Sequence, residues 1–575
     1  MDSIKAVESQ VQARSIGYTH NPSQNGSHPC NTRHATHGHD ASVTFEEYLY
    51  WAKITRAKER DGPLRREAGT SLAVIAGSTK IASELEGGGS GSPIETETEW
   101  GHGNRALRSA GWGAVFYLIT TDILGPFSTP WAFAQLGYGP GLAIFTVFGA
   151  LSTYSGWILW QAYLDLDSDV YPLRGYADFF FRLYGPASRH IVNISQSLQL
   201  LLAVSVTMLS VGQSISQISQ GPDGGPGICF IVCILIVMLA GILLGQIRTL
   251  QKFSWLASIA VWLTFGSVLI CSGVVAKSPP NFVSTVAQYG PSFGPGQVIK
   301  FVGLPPDGLA SGGSGFVGVF NGLNQAVSAY GGAMLFASFL AEMRQPMDFW
   351  KALVCAEFFI YVIYVFFGIF VYSYQGQFAL NPAIQGLSPY RWQTAVNVIN
   401  LGAGLAAATL YSNVGLKVLY QDVLQELFNA PNLSTSRGKI YWAGLVPIYW
   451  IVAFVVCASV PSFSFVTGLI GAVFIISFSY TFPALIAIAY TIKKDAITDG
   501  EAFVPEARSS NYAAGGSRRL FRGFKKRLLF NVWNIVYCLG ALATCALGIY
   551  SSLIALIEAF SGHSAAVSWG CTPPV

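Results

Sequence analysis

Gly125-Pro126-Phe127-Ser128-Thr129-Pro130 lies inside an apolar run that extends from Gly111 to about Leu136, and Asp122 is the only charge in that run. Two prolines and a glycine within six residues do not fit an unbroken helix, because each proline lacks a donor and crowds the preceding turn. In hydrocarbon, the freed backbone groups are tolerated only where protein or a water-filled cavity satisfies them. A helix broken at that depth predicts a binding site at mid-membrane.

Composition agrees with a membrane setting. Hydrophobic residues make up 51% of the chain and charged residues 11%, and the mean hydropathy is +0.43. A soluble domain carries about 25% charged residues. From Ala110 onward, eleven apolar stretches reach the ~20 residues that a bilayer core requires. They lie near 111–136, 141–164, 191–215, 227–246, 253–276, 316–340, 352–374, 393–417, 440–460, 463–490 and 529–557. The third is rich in Ser and Gln, which suits a helix facing other helices or a water path.

The basic residues orient the spans. With the amino terminus cytoplasmic, the inner loops hold eighteen Lys and Arg and the outer loops only Lys277, Lys300 and Arg391. That is a positive-inside pattern, and an odd span count places Cys571 outside. Six of the nine cysteines, Cys229, Cys233, Cys271, Cys355, Cys457 and Cys538, fall in apolar stretches. Cys229 and Cys233 are one helical turn apart and read as packing residues.

The spans also repeat. The first five occupy about 110–276 and the next five 316–490, separated by an outer loop at 277–315. Span six carries its own break, Tyr330-Gly331-Gly332. Two five-helix blocks, each opening on a broken helix and running in opposite directions, make an inverted repeat whose breaks meet at the midplane. The expected fold class is therefore an all-α integral membrane protein of eleven helices. A basic cytoplasmic loop at 491–528 precedes the eleventh helix and short outer tail at 529–575. Residues 1–109 read as a largely disordered cytoplasmic tail, in which 45–66 can form a short surface helix. His20, His28, His34, His37 and His39 in it read as tail composition, not as a metal site.

Two segments resemble a known family. GPFSTPWAFAQLGYGPG at 125–141 resembles the first-span signature of the amino acid/auxin permease family, from which it departs at Pro126 and Thr129. AYGGAMLFASFLAEMRQP at 329–346 resembles its sixth span. The resemblance covers about 110–558 and is greatest to fungal members. It implies secondary active uptake of an amino acid or related small molecule on the inverted-repeat fold of the amino acid–polyamine–organocation superfamily.

The residues support the same chemistry by themselves. A zwitterion needs a partly positive site for its carboxylate and acceptors for its ammonium. Pro130 fits the first turn of a half-helix, Ser128 or Thr129 fits its cap, and the amides near Pro130–Ala132 can receive a carboxylate. The carbonyls of 326–330 are expected to be open to an ammonium. Gly125, Phe127, Ser128, Thr129, Pro130, Tyr330, Gly331 and Gly332 form the expected substrate site, with Phe336 as a further apolar wall. Asp122, one turn before the break, suits a proton carrier. Lys417 reads either as a snorkelling side chain or as a fixed cation in place of sodium between spans one and eight. Glu357 reads as a structural partner of Lys351.

The expected partners are a small-molecule substrate, a coupling proton and the lipid bilayer. No cofactor, metal site or nucleic-acid partner is expected. The plasma membrane is the first expectation for location and the vacuolar membrane the second. No zincin His-Glu pair, nucleophile elbow or phosphate loop is present, so an enzyme is not expected. The alternative from another class is a non-transporting nutrient sensor that uses the same site.

Overall fold

The computed structural model describes residues 43–61, 110–222, 227–247, 251–289, 315–428, 435–459, 463–498 and 516–561. It also describes short pieces at 225, 294–296, 299, 301, 430–431, 501, 503–504, 509–510 and 569–571. The histidine-rich stretch and the Gly-Ser run at 87–92 lie outside them. Regular structure among the described residues is helical, apart from a β ladder of Phe503–Val504 against Ser509–Ser510 and two isolated bridges, Ala110 with Met343 and Pro280 with Leu387.

Helices occupy all eleven apolar stretches. After α1 (Phe45–Asp61), span one consists of α2 (Trp112–Ile123) and α3 (Thr129–Leu136), followed by α4 (Tyr138–Leu166). Next come α5 (Tyr176–Tyr184), α6 (Pro186–Gln220), α7 (Phe230–Leu244), α8 (Gln251–Val275) and α9 (Phe282–Tyr289). Span six consists of α10 (Phe316–Ala329) and α11 (Ala333–Glu342), and α12 (Phe349–Gln375) and α13 (Tyr390–Lys417) follow. The last are α14 (Ser436–Ser459), α15 (Phe463–Ile470), α16 (Phe482–Asp495), α17 (Gly516–Lys526) and α18 (Leu528–Ser561). Among the described residues, eight helices are long and apolar enough to cross a membrane. The stretches outside that set are the two broken helices and α7, which has 15 residues.

The two broken helices are tied together where they approach one face. Ala110, just before α2, donates to the Glu342 carbonyl at 3.3 Å, and Arg344 donates to the Ala110 carbonyl at 3.0 Å. The Ser- and Gln-rich α6 buries its polar side chains against neighbouring helices and loops. Gln385 donates to Gln213 at 2.7 Å, Asn397 to Gln217 at 2.9 Å and Asn400 to Ser214 at 2.9 Å. Paired amides replace the water that such a helix would otherwise require. Wide π-helical turns occupy Val418–Gln425, Gly471–Ile475 and Ser477–Thr481. The latter two lie beside the span-six break, and such turns are frequent at functional sites.

Two expectations are corrected. The helix foreseen within 45–66 is not a free surface helix. In α1, Tyr48, Trp51 and Ala52 are buried. Arg56 pairs with Asp167 at 2.7 Å just beyond the end of α4, and Tyr171 donates to Glu47 at 2.8 Å. Glu46 meets Arg519 of α17, and Arg522 pairs with Glu501 at 2.6 Å. The alternating charges therefore form a docking surface, and they hold α1 and the 491–528 segment on one side of the molecule. Cys229, read as a packing residue, instead forms a disulfide with Cys571. The bond joins the start of α7 to the carboxyl-terminal segment, and such bonds persist in oxidising surroundings.

Asp167 is fully buried, so Arg56→Ala should cost stability on the scale of a broken buried pair, about 3–5 kcal/mol. The expected result is a lower thermal unfolding midpoint in detergent and faster limited proteolysis within α1. An unchanged midpoint with α1 still protected would show that this pair does not hold the helix.

Candidate functional site

The site is built from the two breaks. α2 stops at Ile123, the Leu124 amide caps it on the Thr120 carbonyl, and Pro126–Ser128 form a 3-10 turn leading into α3. Pro130 sits in the first turn of α3, and Ser128 occupies the cap position without a side-chain capping bond. The Thr129 hydroxyl donates back to the Pro126 carbonyl at 2.7 Å. The predicted side-chain cap is therefore absent, because the 3-10 turn satisfies that hydroxyl first. Thr129 and Pro130 are buried, Phe127 and Ser128 half-buried, and Gly125 exposed. The accessible residues of the break are thus Gly125, Phe127 and Ser128, with Pro126 buried between them, earlier in the chain than the amides expected near Pro130–Ala132.

Tyr364 of α12 joins the breaks, and the sequence reading missed it. Its hydroxyl oxygen accepts from the Gly125 amide at 3.0 Å. The same hydroxyl lies against two carbonyls, Ile123 of the first break and Ala329 of the second, the latter at 2.9 Å. A phenol has one proton to give, so it can serve only one of those two acceptors at a time.

The second break is more fully satisfied than expected. Tyr480 donates to the Val327 carbonyl at 3.0 Å, and the Gly331 amide donates to Ser328 at 3.0 Å. Tyr364 reaches the Ala329 carbonyl, and Ser152 lies 3.2 Å from the Tyr330 carbonyl. The carbonyls assigned to an ammonium therefore each have a donor within reach from Val327 to Tyr330: the Gly331 amide at Ser328, and hydroxyls from three neighbouring spans at the others, of which Tyr364 and Ser152 each face a second acceptor. Tyr330 is fully buried with its hydroxyl unpartnered. Gly331 and Gly332 fill the closest approaches. A Cβ on Gly331 would lie 1.9 Å from Ile475, and one on Gly332 would lie 2.8 Å from Asp122 Oδ2 and 2.4 Å from Ile123. Phe336 packs against Phe349 at 5.7 Å between ring centres, deeper than the break, and belongs to the core.

The charged residues separate. Asp122 Oδ2 is buried without a hydrogen-bond partner between the breaks, and the Tyr411 hydroxyl donates to the Asp122 carbonyl at 3.0 Å. Lys417 faces Glu342 at the end of α11, so its charge is associated with span six. Glu357 does not pair with Lys351, which instead binds Asp348 at 2.8 Å. Glu357 is 3% exposed and accepts from Ser152 at 2.8 Å. A usable signal was present in the sequence. Glu357 and Tyr364 stand seven residues apart in an apolar span, which puts both on one helix face.

A family model described as transmembrane amino acid transporter protein matches residues 108–507. The chain belongs to the transmembrane amino acid transporter family. It is a multi-pass integral membrane transporter, not an enzyme. A Neurospora crassa protein named N amino acid transport system protein is 25% identical over 431 residues, covering 74% of this chain and 85% of that one. A Fusarium pseudograminearum protein named transmembrane transporter is 26% identical over 386 residues, covering 66% and 75%. A Gibberella moniliformis protein of the same name is 25% identical over 385 residues, with the same coverage.

In this family member, Tyr364→Phe removes one hydroxyl that serves both breaks while conserving volume. Uptake should fall by at least about tenfold, the scale of leaving one buried polar group unsatisfied, with membrane insertion retained. Normal uptake would show that the bridge is dispensable.

Proposed function

We propose that the chain carries a neutral amino acid or close analogue across its membrane by proton-coupled symport with alternating access. The observation that supports this most is the meeting of two broken helices around a buried carboxylate, Asp122, whose Oδ2 has no hydrogen-bond partner and whose neighbour is the Tyr411 hydroxyl. The substrate carboxylate binds beside Phe127 and Ser128, at the positive end of α3. The groups left without partners near the breaks, Asp122 Oδ2, Ser328 Oγ and Tyr330 OH, face its ammonium. Phe127, packed edge-on to Phe367 at 6.0 Å, borders the apolar part. Thr129, Pro130, Gly331 and Gly332 shape the site through their backbone. Asp122 couples transport to the proton. Lys417, whose charge interacts with that of Glu342 at the end of α11, supplies a positive charge and favours protons over sodium.

The topology in this reading has eleven spans, with five-plus-five inverted repeats at 110–276 and 316–490 and the amino terminus cytoplasmic. The docking of α1 on the 491–528 segment and the disulfide between Cys229 and Cys571 agree with tails on opposite sides. The plasma membrane is the favoured location, with the vacuolar membrane second. The relatives are named for transport, and so transport rather than nutrient sensing is the reading taken.

On intact cells, an impermeant maleimide should label Cys571 only after impermeant reductant opens the disulfide. It should leave Lys58→Cys and Lys525→Cys unlabelled. Labelling of all three positions would refute the odd span count.

Uptake of a labelled neutral amino acid should rise as external pH falls and should survive replacement of sodium by choline. Asp122→Asn should lose concentrative uptake yet retain exchange. Gly125→Leu should fold, because a Cβ there meets only the Ile123 carbonyl at 3.9 Å, yet should lose uptake by filling the substrate site. Uptake that ignores pH and collapses in choline would overturn proton coupling. Normal transport by Gly125→Leu would move the binding site elsewhere.

A further inference from the structure

Glu357 and its surroundings are not used by the proposed substrate site, and they pose a problem of proton counting. The Ser152 hydroxyl lies 2.8 Å from Glu357 Oε1 and 3.2 Å from the Tyr330 carbonyl. Ser152 is fully buried and Glu357 is 3% exposed. A serine hydroxyl carries one proton. If Glu357 were ionised, both neighbours would be acceptors, and one would go without a donor in a closed, apolar setting. The arrangement closes when Glu357 is a neutral acid: its O–H donates to Ser152 Oγ, and Ser152 O–H donates to the Tyr330 carbonyl at the break. Glu357 Oε2 is buried with no partner, and among the described residues Glu357 has no ion-pair partner.

The groups around it supply no compensating charge. Ser152 faces it from α4, Tyr330 from the break and Tyr480 from the π-helical turn before α16. Tyr364 and Tyr361 flank it on its own helix, and Asp122 of α2 lies beyond Tyr364. α3 carries no ionisable side chain, and the described part of α8 offers only the buried Cys271. The Asp348–Lys351 pair is closed on itself at 2.8 Å, two turns away along α12.

We propose that Glu357 is a second proton-carrying site of the transporter, acting on the span-six break through Ser152. When the Glu357 O–H bond breaks, the proton leaves to water on the open side and the electron pair stays on the carboxylate. Ser152 then turns its proton to that carboxylate and releases the Tyr330 carbonyl. The freed carbonyl lies one residue beyond Ala329, whose own carbonyl competes with Ile123 for the single Tyr364 proton. Loss of the Glu357 proton thus shifts donors at one break and alters the bridge between both. Substrate need not touch Glu357; it acts by positioning the break.

This inference rests on the proton-coupled reading above, and the test separates the two. Purified full-length protein is reconstituted in proteoliposomes with the membrane potential clamped at zero, and steady-state accumulation is measured against an imposed pH difference. Each proton carried adds about tenfold accumulation per pH unit at equilibrium. Glu357→Gln keeps a donor toward Ser152 but cannot release a proton. It should therefore reduce the ratio by about tenfold per pH unit, with substrate counterflow persisting. If the wild-type ratio stays near one, proton coupling itself fails. If the wild type and Glu357→Gln concentrate substrate equally while Asp122→Asn does not, coupling stands and the Glu357 assignment is overturned. Should Glu357→Gln fail to reach the membrane, Ser152→Ala decides. With its donor gone, the carboxylate is harder to form, so the pH midpoint of uptake should move upward. An unchanged midpoint in Ser152→Ala would overturn the relay.

Discussion

The Tyr364 hydroxyl is the interaction on which this architecture turns. Two helices are broken inside an apolar bundle, and the backbone groups exposed there have no bulk water to bond. Tyr364 accepts from Gly125 and reaches the carbonyls of Ile123 and Ala329. One side chain on an intact helix thereby joins the two interrupted ones. Because its single proton cannot serve both carbonyls, the junction has two alternative ways of being satisfied.

Hydroxyls from the rest of the bundle offset the cost of those breaks. Tyr480, Ser152 and Tyr411 bring hydroxyls from three separate helical segments to carbonyls at the breaks. Each is an ordinary hydrogen bond, worth about 1 kcal/mol net when made and about 1–3 kcal/mol when a buried group is left alone. The asymmetry explains why the carbonyls are covered so thoroughly. Around the first break, Gly125, Phe127 and Ser128 remain accessible.

Away from the breaks, a set of ion pairs gathers around α1 and α17. α1 is held by Arg56 on Asp167 and by Glu46 on Arg519, and α17 continues the network through Arg522 and Glu501. The disulfide from Cys229 to Cys571 lies at the start of α7, away from that network. A polar seal on one face and a covalent tie elsewhere leave the middle to hydroxyl–carbonyl contacts, which exchange without separating charge.

The sequence by itself determined the membrane setting and the places of both breaks, and it marked Asp122 as the one charge in the first broken run. Those features depend on local facts: proline and glycine cannot continue a helix, and a lone carboxylate in an apolar run is conspicuous. Tertiary structure decided what satisfies the breaks. Tyr364, Ser152 and Tyr480 lie on other spans, and nothing in their own sequence neighbourhood says which carbonyl they will meet. Glu357 appeared to belong with Lys351 because they are close in sequence, yet the helix turns it inward to Ser152 and directs Lys351 to Asp348. Cys229 found its partner 342 residues away, and α1 found a docking face beyond the end of α4. Periodicity and breakers are written in the chain because they act over a few residues. Proton donors between helices are decided by packing, which brings together residues that the sequence keeps far apart.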